Sequence, residues 1–102
     1  MKNVILHPHA LSELREASFH YAEVSLRLAG SFIDKVDENI EAIKRNPLGF
    51  PMFENEIRKC VMLRFPFTIF YEDLNTVLYI WAVAHQSCHP DYWKGRLKDI
   101  PE

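Results

Sequence analysis

The side chains able to move protons or hold phosphate gather in the second half of the chain. His85 is followed by Cys88, His89 and Asp91. An imidazole with its ordinary pKa of about 6.5 exchanges protons near neutrality, so His85 is the natural general base if this chain catalyses anything. It fits equally a histidine packed at a sheet end and bonded to backbone. The H-x2-C-H-x-D spacing invites a zinc reading, yet structural zinc needs a second paired set of Cys or His. His7 and His9 would have to supply it, and nothing in the sequence brings them near. No metal or other cofactor is expected. Cations cluster twice, as Arg58, Lys59 and Arg64 and as Lys94, Arg96 and Lys98. Folding is able to bring the two clusters together. Arg58 and Lys59 are adjacent on an expected strand and point to opposite faces, so only one can serve a site. Tyr92 and Trp93 can stack on bases, but an aromatic tail more often docks on its own domain.

These groups need a scaffold, and the hydrophobic pattern supplies one. Val4 to Leu6 reads as a short strand, closed by Pro8 in the first turn of a helix. Leu11, Leu14, Ala17, Tyr21, Val24 and Leu28 recur in steps of three and four and define one helix face, which predicts a helix ending at Gly30. Ser31 with Asp34 resembles a capping box. It opens a second helix on Ile33, Val36, Ile40 and Ile43 that Asn46-Pro47 stops. Leu48 to Phe53 reads as a loop carrying apolar anchors. Ile57–Leu63, Phe67–Tyr71 and Val77–Ala84 are rich in β-branched and aromatic residues, with a hairpin turn at Asp73–Thr76. The expected fold is α+β in the order β-α-α-β-β-β, a small antiparallel sheet packed against an antiparallel helical hairpin. In the middle strand Phe67, Ile69 and Tyr71 share one face and Thr68, Phe70 and Glu72 the other. The hairpin covers only one of these faces.

With 102 residues the chain is expected to form one domain over 1–102. Hydrophobic residues at 48% and charged residues at 25% place it among globular chains rather than disordered ones. A formal charge of -2 and a pI near 6.2 exclude the strong positive field of a dedicated nucleic-acid binder, so any such role needs a local patch. Residues 1–56 hold six Lys+Arg and nine Asp+Glu, against six and five in 57–102, which makes the strand half the less acidic. Charges such as Glu13, Arg15, Glu16 and Glu23 read most simply as a solvated helix face. The apolar run at the N-terminus is too short for a secretory signal, and the longest run, Val77 to Ala84, is too short to span a membrane. The expectation is a soluble cytoplasmic protein with Cys60 and Cys88 reduced, Cys60 as a core thiol.

The helical hairpin, then Glu56-Ile57-Arg58-Lys59, then Arg64-Phe65-Pro66-Phe67-Thr68-Ile69-Phe70-Tyr71, then Ala82-Val83-Ala84-His85 and the tail His89 to Lys94, resemble the RelE/ParE family of toxins from bacterial type II toxin-antitoxin modules. The resemblance covers nearly the whole chain. It implies a cognate antitoxin that wraps and neutralises the toxin, an operon repressed by the pair with operator DNA bound through the antitoxin, and stabilisation of the genetic element that encodes them. Phe67, Phe70 and Trp81 are then candidates for antitoxin binding, through a helix in a groove or an added strand. The alternative is that the loop Phe50–Phe53 and the C-terminal segment cover them.

Two targets divide the family, DNA gyrase and the ribosome. Cutting mRNA needs a base for the 2′-hydroxyl, cations for the phosphorane and an acid for the leaving oxygen. The resemblance carries those roles onto His85, Arg64, Arg58 and Tyr71, with Lys59 beside them. Relatives often hold arginines just after the His85 position, where this chain has Gln86-Ser87-Cys88, and an Arg mid-strand, where it has Phe67-Thr68-Ile69. Arg is the side chain whose planar fork best suits phosphate. Those absences and the net negative charge favour gyrase inhibition. A ribosome-dependent endoribonuclease and an inactivated toxin remnant are the alternatives.

Overall fold

The computed structural model describes residues 2–99. Strand β1 (Asn3–Leu6) leads into helices α1 (Pro8–Val24) and α2 (Leu26–Arg45). Strands β2 (Met52–Glu54), β3 (Ile57–Val61), β4 (Phe67–Asp73) and β5 (Val77–His85) follow, and a short 3-10 helix at Lys94–Lys98 ends the described chain. Pro8 sits in the first turn of α1, where its missing N–H is no loss. The His7 side chain caps that helix by accepting from the His9 amide at 3.0 Å.

The boundary between the helices lies at Ser25 rather than Gly30. Ser25 is fully extended, and its hydroxyl accepts from the Leu28 amide at 3.0 Å, so a serine cap outcompetes the glycine stop. Ser31 is therefore inside α2 and caps nothing. Gly30 keeps helical torsions at a tolerable cost of about 1 kcal/mol. Asn46 closes α2, with Lys44 and Arg45 placed against the negative end of its dipole.

The five strands form one sheet in the order β1-β5-β4-β3-β2. It is mixed rather than wholly antiparallel, because β1 runs parallel to β5, in register from Asn3↔Val77 to Leu6↔Ile80. Periodicity marks a strand but not its partner. The expected loop at Leu48–Phe53 ends in an edge strand, β2, which turns into β3 at Asn55, a residue with φ of 52°. Asn75 (φ 72°) makes the β4–β5 turn where Asp73–Thr76 was expected to do so, and its amide is held by the Asp73 carboxylate.

The sheet is buried on both faces. Under the helices lie Phe32, Val36, Ile43, Phe65, Ile69, Tyr71, Ile80 and Val83. Cys60 joins them with its thiol on the Asn39 side-chain oxygen at 3.2 Å, and burial pushes it up to about 11. Both cysteines are free. On the other face Ile57, Phe70, Tyr79, Trp81 and Ala84 are covered by Trp93, Phe53, Leu74 and Leu97. The segment after β5 thus folds back as a strap across the sheet. Among the described residues no helix is long and apolar enough to cross a membrane.

Candidate functional site

The four residues proposed for nuclease chemistry occupy two separate places. Tyr71 on β4 is completely buried, its ring against Phe50 and its hydroxyl donating to the Pro47 carbonyl at 2.6 Å. Burial pushes that hydroxyl up to about 12, with Arg58 opposing only in part. Arg58 pairs with Tyr71 across the β3–β4 ladder and donates from Nη1 to the Phe50 carbonyl at 2.7 Å. Together they clamp the 46–50 turn to the sheet, and the Tyr71 proton is already committed. Lys59 points to the opposite face, beside Phe53 and Phe70, without an ion pair among the described residues.

His85 and Arg64 lie at the other end of the sheet. Tyr71 lies four positions along β4 from Phe67, the partner of His85, a span of about 13 Å. Arg64 is exposed on the β3–β4 turn, its guanidinium 5.6 Å over the Phe65 ring. His85 is exposed, edge-on to Phe67 at 5.1 Å. Its Nδ1 accepts from the Ser87 amide at 3.0 Å and lies 2.7 Å from the Ser87 hydroxyl. A backbone N–H can only donate, so in the neutral ring the proton sits on Nε2 and the exposed nitrogen is a donor. That tautomer does not suit a general base.

The second cationic cluster is mostly spent on internal pairs, so the two clusters do not merge into an open positive patch. Arg96 forks onto Glu13 at 3.0 and 2.9 Å and also donates to the Trp81 carbonyl at 3.1 Å. Lys94 bridges Glu54 and Asp91 at 2.6 and 2.8 Å. Glu13, whose charge reads from sequence as part of a solvated helix face, is instead a structural hub. It receives Arg96, the Tyr92 hydroxyl and the Val83 amide, the last at 3.1 Å. It thereby ties α1 to the edge of β5 and to the strap. The available signal was its place between Ala10 and Ala17, whose small buried side chains let α1 sit close to the sheet. Burial and the Glu13 carboxylate raise the Tyr92 hydroxyl far above its ordinary range. Burial works against the Arg96 charge, but the Glu13 bonds outweigh it and its pKa rises. A further tie joins the strap to the N-terminus, where buried His7 donates from Nε2 to Asp99 at 2.9 Å.

Phe67, at 7% exposure, is sealed in the helix-side core, and on the opposite face Phe70 and Trp81 are buried at 4% and 3%, so the expected open aromatic face is closed. Trp93 covers it, with ring centroids 4.9 Å from Phe70 and 5.9 Å from Phe53. Trp93 thus takes the packing role expected of the aromatic tail. Tyr92, next to it, instead lies half-open over Arg96. Cavities remain around the strap, and each of the three rings borders one: about 400 Å³ at Phe67, 330 Å³ at Trp81 and 220 Å³ at Phe70. Among the described residues no three His, Cys, Asp or Glu side chains converge as metal ligands; His85, Cys88, His89 and Asp91 do not form such a set.

Residues 4–90 match the family model described as ParE toxin of type II toxin-antitoxin system, parDE. Among solved structures the chain is similar to one described as the chromosomal ParDE TA system from P. aeruginosa. The TM-score is 0.71 at 16% sequence identity, and the match covers 83% of this chain and 96% of that one. At that identity the likeness speaks for the fold alone. Curated protein sequences contain no match.

Proposed function

The chain belongs to the ParE toxin family of type II toxin-antitoxin systems, and from that premise we propose that it is a cytoplasmic toxin that inhibits DNA gyrase by binding and is neutralised by a cognate antitoxin. The observation that carries this reading is the dispersal of the nuclease candidates. Endonucleolytic chemistry needs a base, an acid and a phosphate clamp within a few ångströms of one reacting phosphorus. Here Tyr71 and Arg58 are tied to the 46–50 turn, and His85 offers a donor at the far end of the sheet. Arg96 and Lys94 are neutralised by Glu13, Glu54 and Asp91. A binding mode requires no such convergence. The antitoxin partner is supported by the family and by the cavities bordered by Phe67, Phe70 and Trp81.

The test is purified gyrase mixed with the chain. Supercoiling should fall, or cleavage complexes accumulate, as toxin is added. Both readouts matching the toxin-free control at a large excess would end the gyrase reading. Mapping 5′ ends of translating mRNA after induction gives the competing result: new ends within codons would establish the ribosome-dependent nuclease instead. Normal growth when the chain is expressed without its antitoxin would mark an inactive remnant.

A further inference from the structure

Helix α1 presents Glu13, Glu16, Ala17, His20 and Tyr21 as one stripe at spacings of three and four, and this stripe forms one wall of the 400 Å³ groove. The opposite wall is Phe67, Val83 and His85 at the sheet end, and Tyr92 of the strap closes it. The two carboxylates on the stripe differ in what they hold. Both oxygens of Glu13 are occupied, by Arg96, Tyr92 and the Val83 amide. Glu16, one turn further along, is exposed and has no hydrogen bond or ion pair among the described residues. The groove therefore combines aromatic walls with one uncompensated negative charge.

The protein already shows what such walls accept. Arg96 lays its guanidinium 5.4 Å over the Tyr92 ring while forking onto Glu13. A planar guanidinium suits both contacts at once, an aromatic face and a carboxylate, in a way that a compact ammonium does not. Glu16 repeats the carboxylate half of that arrangement, with Tyr21 and Phe67 supplying aromatic surface.

We propose that this groove receives an arginine side chain of the antitoxin, its methylene stem lying along Tyr21 and Phe67 and its guanidinium forked onto Glu16. The inference rests on the reading that the chain has an antitoxin, and it deepens that reading by naming the chemistry of one contact. An apolar anchor in the same groove would leave the Glu16 charge without a partner.

Two measurements test it separately. In the first, 15N-labelled chain is titrated with N-acetyl-arginine amide, with the leucine and glutamate analogues as controls. Amide shifts are expected at Glu16, His20, Tyr21 and His85 with the arginine probe, and at least a fivefold weaker response with either control and with Glu16→Gln. Equal responses to arginine and leucine, or shifts confined to other surfaces, would overturn the proposal. In the second, the antitoxin encoded beside the gene is co-purified with wild type, Glu16→Gln and Glu16→Lys chains of matched circular dichroism. The expected loss of affinity is roughly tenfold for Glu16→Gln and larger for Glu16→Lys, and one antitoxin Arg→Ala variant should be insensitive to Glu16→Gln. Unchanged affinity in both Glu16 variants defeats the groove while leaving the antitoxin reading intact. Failure of the wild-type chain to form any complex defeats the antitoxin reading and with it this proposal.

Discussion

The two faces of the sheet are buried by different means. On the helical side, two helices of 17 and 20 residues seal Phe32, Ile69, Ile80 and Val83 in one continuous core. On the other side an irregular strap does most of the work, helped by Phe53 and Leu74, with no residue of its 3-10 helix buried. One tryptophan, Trp93, is its deep anchor, at 1% exposure, and its indole N–H has no partner among the described residues. The remaining ties of the strap are side-chain pairs: Arg96 and Tyr92 to Glu13, Lys94 to Glu54, Asp99 to His7. The helical face is held by apolar area, the strap face by one ring and a set of polar latches. The first kind of cover opens only with the whole fold, whereas the second can open alone.

The largest expected effects follow from that contrast. Phe32→Ala removes a fully buried ring that meets Tyr21, Phe65 and Phe67, and should cost about 3–5 kcal/mol with one cooperative transition. Trp93→Ala deletes a larger side chain but should cost less, about 2–3 kcal/mol, because the strap can detach instead of leaving a cavity. Hydrogen exchange would separate the two: Phe32→Ala should speed exchange throughout the sheet, Trp93→Ala only in residues 86–99. Global loss of protection in both variants would make the two faces one unit.

The same contrast explains what the sequence made legible. Helices and strands announced themselves because their apolar periods are local, but the helix-side core follows from them only in part: Leu14, Ala17, Tyr21, Val36 and Ile43 pack inward as their spacing predicts, whereas Leu11, Val24 and Ile33 are exposed and Phe32 is buried beside Ile33. Both helices, the last three strands and the Asp73–Thr76 turn were readable in this way. The Ser25 boundary was missed because Gly30 gave an equally good local stop signal, and only the chain's extended conformation at Ser25 decides between them. Strand β1 was readable at Val4–Leu6, but its parallel pairing with β5 was not, because pairing is a long-range property. Strap contacts are longer still: Glu13 and Arg96 lie 83 residues apart. No periodicity marks such a pair, so Glu13 looked like one more charge on a wet helix. For the site, the sequence supplied the residue types but placed Arg58 and Tyr71 with His85, whereas the register puts them in different parts of the sheet.

A middle-sized effect tests the polar latch. Arg96→Met keeps the aliphatic stem but leaves Glu13, a half-buried carboxylate, with only the Tyr92 hydroxyl and the Val83 amide. The expected loss is about 1–2 kcal/mol, with faster exchange in the strap. Glu13→Gln in the Arg96→Met background should recover part of it, since the uncompensated charge goes. If the double variant is no more stable than Arg96→Met alone, the pair contributes through packing rather than through its charges.

The smallest effect concerns the helical face, whose polar anchors are few but sealed. Tyr71→Phe removes the hydrogen bond to Pro47 and nothing else of size, so at neutral pH it should cost about 1 kcal/mol. The sign of its pH dependence is the sharper test. Burial raises the Tyr71 hydroxyl from its ordinary value of 10.0 to about 12. The folded chain therefore keeps a proton that the unfolded chain has lost, and the stabilisation is complete below the unfolded value and disappears as pH rises through the folded one. Each unit of separation corresponds to about 1.4 kcal/mol, so wild type should lose roughly 2 to 3 kcal/mol from this group between pH 10 and 12. Tyr71→Phe has no such proton, and although Cys60 and the other tyrosines titrate in both proteins, the difference between them isolates Tyr71. Denaturant midpoints measured from pH 8 to 12 should converge above pH 10 and cross near about pH 11, leaving the variant the more stable protein. Parallel curves over that range would mean that the 46–50 turn opens before the fold does, and that the helical face is less tightly sealed at its polar edge than at Phe32.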